Sequence, residues 1–186
     1  NIYNLREVFV NPIGRKFVIT FDDGYKDNLL VVAPIMAELN LPYTVFITTD
    51  YIQEKNIRYL SPKELKDLSI LKGVDIGSHT KSHPRLTGCN DEKIKEELEY
   101  SKKYLEDLIG KEVNTFAYPH GDYNDKVKNI VSESGYKYAR TSRFSICEYS
   151  QDKLLLNSTE IWDKDDIETF RQKIEGHWDW LSRIQK

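Results

Sequence analysis

Short apolar runs alternate with amphipathic stretches along the chain, and turn residues separate them. Lys16-Phe17-Val18-Ile19-Thr20-Phe21 is β-branched and aromatic and stops at Asp-Asp-Gly, which predicts a buried strand. A helix is expected within Asp27 to Asn40. Pro34 places its regular part near Ala33, because a residue without an N–H fits only the first turn. Tyr43-Thr44-Val45-Phe46-Ile47-Thr48 predicts a second strand, and Val74-Asp75-Ile76-Gly77 a short third. Between them Ser61-Pro62-Lys63-Glu64 has the form of a helix start. Ser61 can cap, Pro62 suits the first helical position, and Glu64 completes the capping box.

Asn90 to Ile109 gives the clearest helical period. Ile94, Leu98, Ser101, Leu105, Leu108 and Ile109 fall on one face, and Gly110 stops the run. Val113 to Ala117 reads as a strand, Asp125 to Ser134 as a helix ended by Gly135, and Tyr138 to Thr141 as a strand. Leu154-Leu155-Leu156 and Thr159-Glu160-Ile161-Trp162 are expected as late strands, and Asp165 to Ile184 as a closing helix. Strand–helix alternation with short joints argues for parallel strands covered by helices. About six or seven such units suit a small or incomplete barrel better than an eight-fold one, taken as a single domain over residues 1–186. In folds of this kind chemistry sits at the carboxyl ends of the strands.

Composition narrows the partners. Acidic residues number 30 against 27 Lys plus Arg, so no basic footprint marks nucleic acid as a partner. No apolar run approaches the roughly 20 residues of a membrane span. Cys89 and Cys147 form no CxxC element, which excludes a zinc ribbon and leaves one disulfide open. No signal-peptide pattern is present. The supply of Tyr, Phe and Trp is generous, and aromatics line carbohydrate sites as well as cores.

Two loops after predicted strands hold unusual polar residues. Thr20-Phe21-Asp22-Asp23-Gly24 puts adjacent carboxylates at a strand end, where they repel unless a cation or proton lies between them. Alternation along a strand would point the two to opposite sides, giving them separate jobs. Asp-Asp-Gly alone is also ordinary turn chemistry. His79 and His83 lie four apart in Ser78-His79-Thr80-Lys81-Ser82-His83-Pro84, and one helical turn or a curled loop brings both imidazoles to one side. Such a pair alone reads more readily as two solvent-facing loop histidines. Together the loops offer two His, one Asp and a spare carboxylate. Three ligands with open positions mark a catalytic metal site, in which the cation acidifies water and polarises a carbonyl while a carboxylate takes the proton.

Thr20-Phe21-Asp22-Asp23-Gly24 and His79-Thr80-Lys81-Ser82-His83-Pro84 resemble the first two motifs of the polysaccharide deacetylase family, also called the NodB-homology domain or carbohydrate esterase family 4. Phe116-Ala117-Tyr118-Pro119-His120-Gly121 resembles its third motif, in the branch that carries Phe-Ala-Tyr-Pro-Tyr-Gly. The resemblance runs from Lys16 to Trp162. It implies an α/β fold, a distorted (β/α) barrel of about seven parallel strands with outer helices. It also implies hydrolytic removal of acetyl groups, N-acetyl ahead of O-acetyl, from an acetylated polysaccharide or oligosaccharide. By position, Asp23, His79 and His83 would hold a divalent metal, zinc first and cobalt or nickel as alternatives. Asp22 would be the general base, and Tyr118, Pro119, His120 and Gly121 would form a substrate-binding loop, with the His120 N–H on the oxyanion. The family favours the cell envelope or secretion.

The sequence departs from the family in three places. Ala117 stands where an Arg often orients the base; Arg140 and Arg143 are candidate substitutes. The Asp-rich fourth motif has only Trp162-Asp163 and Trp178-Asp179-Trp180 to offer. The fifth motif's Leu-x-His is replaced by Leu154-Leu155-Leu156-Asn157, which leaves His120 as the candidate acid and His177 in a packing or surface role. Alternative readings are a catalytically impaired carbohydrate-binding homologue and a small-molecule amidohydrolase or esterase on the same fold.

Overall fold

The computed structural model describes residues 1–9, 14–54, 56–148 and 150–184. Five strands, β3 (Thr20–Phe21), β4 (Tyr43–Ile47), β5 (Val74–Ser78), β6 (Thr115–Ala117) and β7 (Tyr138–Arg140), lie side by side in sequence order with every pair parallel. The sheet curls into a half-barrel. A second parallel pair joins β1 (Ile2–Tyr3) to β2 (Phe17–Val18). The predicted strand over 16–21 is therefore one extended segment that serves two sheets. The carbonyl of Ile19, between β2 and β3, accepts from the Thr44 N–H at 2.9 Å.

Helices α1 (Ala33–Glu38), α2 (Thr49–Gln53), α3 (Pro62–Ser69), α4 (Asp91–Ile109), α5 (Asp125–Glu133) and α6 (Ile167–Ile174) connect and cover the strands. A π-helical turn, Asn28–Val32, leads into α1, so the regular helix starts at Ala33 as Pro34 requires. The capping box of α3 forms in both directions. Glu64 N–H donates to Ser61 Oγ at 3.3 Å, and Ser61 N–H donates to Glu64 Oε2 at 2.7 Å. Gly110, at φ 69°, ends α4 as expected.

The main core lies between sheet and helices. Val45, Ile47, Ile76 and Phe116 from the strands meet Leu65 and Leu68 of α3, Ile94, Leu98 and Leu105 of α4, and Val127 and Val131 of α5. Each fully buried side chain of this size contributes roughly 1.5–3 kcal/mol. The opposite face of the sheet carries a smaller cluster of Leu5, Phe46, Ala117 and Leu156. Phe46 fits there because Gly77 is beside it: a Cβ on Gly77 would lie 2.4 Å from the Phe46 ring.

The late segment corrects the expectation of two further strands. Residues 153–156 do flank β7, with Leu156 N–H to Ala139 O at 2.9 Å and Thr141 N–H to Leu156 O at 2.8 Å, but only Leu156 forms a bridge, to Arg140. Thr159 to Trp162 form no strand, since no neighbouring strand offers them a ladder, and Ile161 is 50% exposed. The closing helix is likewise shorter. α6 stops at Ile174, Gly176 takes φ 85°, which a right-handed helix does not accommodate, and a 3₁₀ turn over Asp179–Arg183 follows. Trp162 and Trp178 pack around the fully buried Lys173 ammonium, which donates to Asp165 Oδ2 at 2.6 Å. Cys89 and Cys147 are both free.

Candidate metal centre

The three motif loops converge at the carboxyl ends of β3, β5 and β6. Asp22 and Asp23 follow β3, His79 follows β5, and Tyr118 follows β6. Among the described residues five non-glycine positions have positive φ, and four of them, Asp23, Thr80, His83 and His120, stand in these loops. Left-handed backbone at non-glycine residues is uphill and collects at functional sites.

Asp23 shows what this conformation accomplishes. Strand alternation would send Asp22 and Asp23 apart, but at Asp23 the chain turns left-handed, with φ 68°, and Gly24 N–H closes back on Asp22 O at 2.9 Å. Both carboxylates then face one imidazole: His79 Nε2 lies 3.9 Å from Asp22 Oδ2 and 3.8 Å from Asp23 Oδ1. His83 Nε2 is also 3.8 Å from Asp23 Oδ1, and the two Nε2 atoms are 3.1 Å apart.

His79 is buried, and its Nδ1–H donates to Ala117 O at 2.7 Å, at the end of β6. That bond fixes the tautomer and leaves a lone pair on Nε2. Burial holds the His79 ring far below its ordinary range, at about 4, and also lowers His83, so both are neutral at pH 7. Two neutral nitrogens this close need a cation or proton between them. Asp23 Oδ1, which faces both, is buried without a hydrogen bond. Asp23, His79 and His83 are a cluster whose ligand atoms lie within 4.8 Å of one another. A cation about 2.0–2.1 Å from three tetrahedral ligands sets them roughly 3.3–3.4 Å apart. The observed 3.1, 3.8 and 3.8 Å bracket that spacing, so the donor set fits a zinc-sized ion.

Asp22 stands apart in its charge state. Burial pushes its carboxyl up, but the Arg140 guanidinium and the His79 side outweigh it, and the net effect lowers Asp22 below the usual carboxylate value. Arg140, the last residue of β7, hydrogen-bonds Asp22 Oδ1 and is itself buried. Of the two arginines considered in place of Ala117, Arg140 takes the position. Burial, joined by the Asp22 charge and opposed by His83, raises Asp23. The Asp22 side chain keeps 37% of its surface exposed.

The third motif divides its roles. Tyr118 and Pro119 are buried, with the Tyr118 ring against Phe116 at 5.1 Å and Tyr123 at 5.5 Å, so they shape the loop from below. His120 is exposed, and its ring centroid lies 4.5 Å from that of His83. Gly121, at φ 65°, admits no side chain: a Cβ would lie 2.7 Å from Ser142 N. His177 is exposed on the C-terminal segment, beside Glu175. Tyr25, Tyr59 and Tyr51 stack in series, at 4.9 and 4.6 Å, and Tyr51 lies 6.2 Å from His83. Sequence reasoning missed this tyrosine row because its members come from three separate loops and helices.

The chain belongs to the polysaccharide deacetylase family, whose model matches residues 10–139. Poly-β-1,6-N-acetyl-D-glucosamine N-deacetylase of Staphylococcus aureus is 30% identical over 135 residues, covering 67% of this chain and 47% of that protein. Chitin deacetylase 1 of Cryptococcus neoformans is 38% identical over 103 residues, covering 50% of this chain and 22% of that protein. The chain thus spans less than half the length of these curated relatives. Among solved structures, the Streptococcus pyogenes deacetylase PplD in complex with acetate superposes with a TM-score of 0.86 at 25% identity, covering 94% of this chain and 79% of that one. No helix among the described residues is long and apolar enough to cross a membrane.

Proposed function

We propose that this chain hydrolyses acetyl groups from an acetylated polysaccharide, N-acetyl ahead of O-acetyl, in a metal-dependent reaction. The observation that carries the reading is the convergence of Asp23, His79 and His83, with Asp23 Oδ1 buried and without a hydrogen bond between two neutral imidazoles. These three would hold the ion, zinc first and cobalt or nickel as alternatives. A divalent cation there supplies Lewis acidity toward the acetyl carbonyl and acidifies the attacking water.

The protein's own groups do the rest. Asp22, kept charged by Arg140 and partly open to the cleft, takes the proton of the attacking water. His79 stays neutral and oriented through Ala117 O. The backbone N–H of His120, a residue at φ 57°, would donate to the oxyanion. The His120 ring, exposed beside His83, protonates the leaving amine or alkoxide. The relatives named for chitin and poly-N-acetylglucosamine support an N-acetylated substrate.

The test is acetate release from a panel of N- and O-acetylated glycans, with and without chelator, on protein of measured metal content. Release that is lost with chelator and returns with zinc, cobalt or nickel supports the reading. Release indifferent to chelation in metal-free protein, or none on any glycan, rejects it.

A further inference from the structure

Helix α4 reaches the loop of the two histidines through two polar side chains on its buried face. Ile94, Glu97, Leu98, Ser101 and Leu105 are the buried residues of this helix, and Glu97 and Ser101 interrupt an otherwise apolar stripe. They are four apart and lie one above the other. Their partners are also four apart: Ser101 Oγ is 2.7 Å from Ser78 Oγ, and Glu97 binds Ser82. Ser78 immediately precedes His79, and Ser82 immediately precedes His83.

The Glu97 contact is the stronger of the two. Its side chain is fully buried, and both carboxylate oxygens are engaged. Oε2 accepts from the Ser82 N–H and Oε1 from the Ser82 hydroxyl, each at 2.7 Å, while Lys93 Nζ lies 3.0 Å from Oε1. Charged acceptors make bonds roughly twice as strong as neutral ones, and a buried carboxylate is tolerated only where its lone pairs are filled. The loop it grips needs holding. Thr80 and His83 have φ of 68° and 60°, and further bonds to this stretch include Thr49 N–H to Thr80 O, Asp50 N–H to Lys81 O, His83 N–H to Thr80 Oγ1, Thr80 N–H to Ser78 Oγ and the exposed Lys81 Nζ to Glu96 Oε1.

We infer that Glu97 is a positioning residue for the metal centre: by clamping Ser82 it places the His83 imidazole opposite His79 at cation-binding distance, with Ser101 and Ser78 anchoring the other end of the loop. The inference rests on reading Asp23, His79 and His83 as ligands. It says that the His79–His83 spacing is set by α4, outside the three motifs. Partners that orient ligands in this way typically carry about 10–100-fold in metal affinity.

The experiment is zinc binding to the purified chain by competition with a chromogenic chelator, well below each variant's thermal midpoint. Glu97→Gln keeps the volume but offers one acceptor in place of two, and is expected to weaken zinc binding about 10–100-fold. Ser82→Ala, which keeps the backbone bond, is expected to weaken it less, and Ser82→Thr, which restores a hydroxyl, to return it. The double variant should fall short of the product of the single effects, since both act through one contact. Affinity within twofold of wild type in Glu97→Gln and Ser82→Ala overturns the inference, even if the metal-free midpoints fall, because the contact would then be structural alone. Should Glu97→Gln not fold, Ser82→Ala against Ser82→Thr decides by the same criterion. Wild-type protein that binds no zinc, cobalt or nickel would instead remove the ligand reading itself, a failure visible before any variant is made.

Discussion

The guanidinium of Arg140 is hydrogen-bonded to the carboxylate of Asp22, 118 positions earlier in the chain. This contact joins β7 to the loop after β3 and keeps the proposed base charged. Removing the guanidinium removes the main influence that lowers Asp22. In Arg140→Gln the Asp22 pKa should rise, so the acid limb of the kcat/KM profile moves to higher pH and activity at neutral pH falls about 10–100-fold. A profile that keeps its wild-type acid limb would assign that limb to another group.

The two aspartates should separate metal binding from proton transfer. Asp22→Asn is expected to retain metal while acetate release falls by about 10²–10⁴. Asp23→Asn, His79→Ala and His83→Ala are expected to lose both. Metal analysis of the purified variants beside the release assay distinguishes the two classes, and an Asp22→Asn protein lacking metal would move Asp22 into the ligand set.

Acidification should destabilise the metal-free protein through His79. Its folded pKa of about 4 lies below the ordinary 6.5, so between those values the unfolded chain binds the additional proton. Stability present above pH 6.5 is therefore lost as pH falls toward 4, by up to about 3 kcal/mol for this one group. Urea unfolding at pH 7, 5.5 and 4.5 measures the slope. His79→Asn should flatten it, and an equal slope in that variant would place the titration elsewhere.

Metal should stabilise the folded state against the unfolded one. Zinc at 100 times its Kd is expected to add about 2.7 kcal/mol, seen as a raised thermal midpoint that chelator reverses. A midpoint indifferent to zinc in protein shown to bind it would mean that the unfolded chain binds comparably.

Gly77→Ala tests the packing that carries His79. The added Cβ would lie 2.4 Å from the Phe46 ring and 2.7 Å from Thr115 Oγ1. Because Phe46 is fully buried and cannot swing aside, a loss of about 1–3 kcal/mol in denaturant unfolding is expected, as for other overpacked cores. Unchanged stability would show that β5 shifts freely against β4.

Much of this molecule is legible along the chain, because the signals are local. The Ser61–Glu64 capping box, the start of α1 near Pro34 and the stop of α4 at Gly110 each follow from backbone chemistry within one or two turns, and all three stand in the structure. The metal-site candidates were legible for a similar reason: Asp23, His79 and His83 are uncommon residue types placed directly after strands, where parallel α/β folds gather their chemistry.

Elsewhere the outcome depended on partners distant in sequence. Thr159 to Trp162 has the look of a strand but finds no edge to pair with, and Lys173, polar by type, ends fully buried among aromatics. Side-chain alternation gave Asp22 and Asp23 opposite directions, yet a left-handed residue turned both toward His79. The choice of Arg140 over Arg143, and the grip of Glu97 on Ser82, arise only when β7 and α4 are laid beside loops far away in the chain. What the sequence by itself determined is the set of secondary elements and the residue types available for chemistry, since propensity, capping and turn geometry act over a few residues. What only the tertiary structure decided is which charges meet and at what distance, because electrostatic and hydrogen-bond partners are selected by proximity in space.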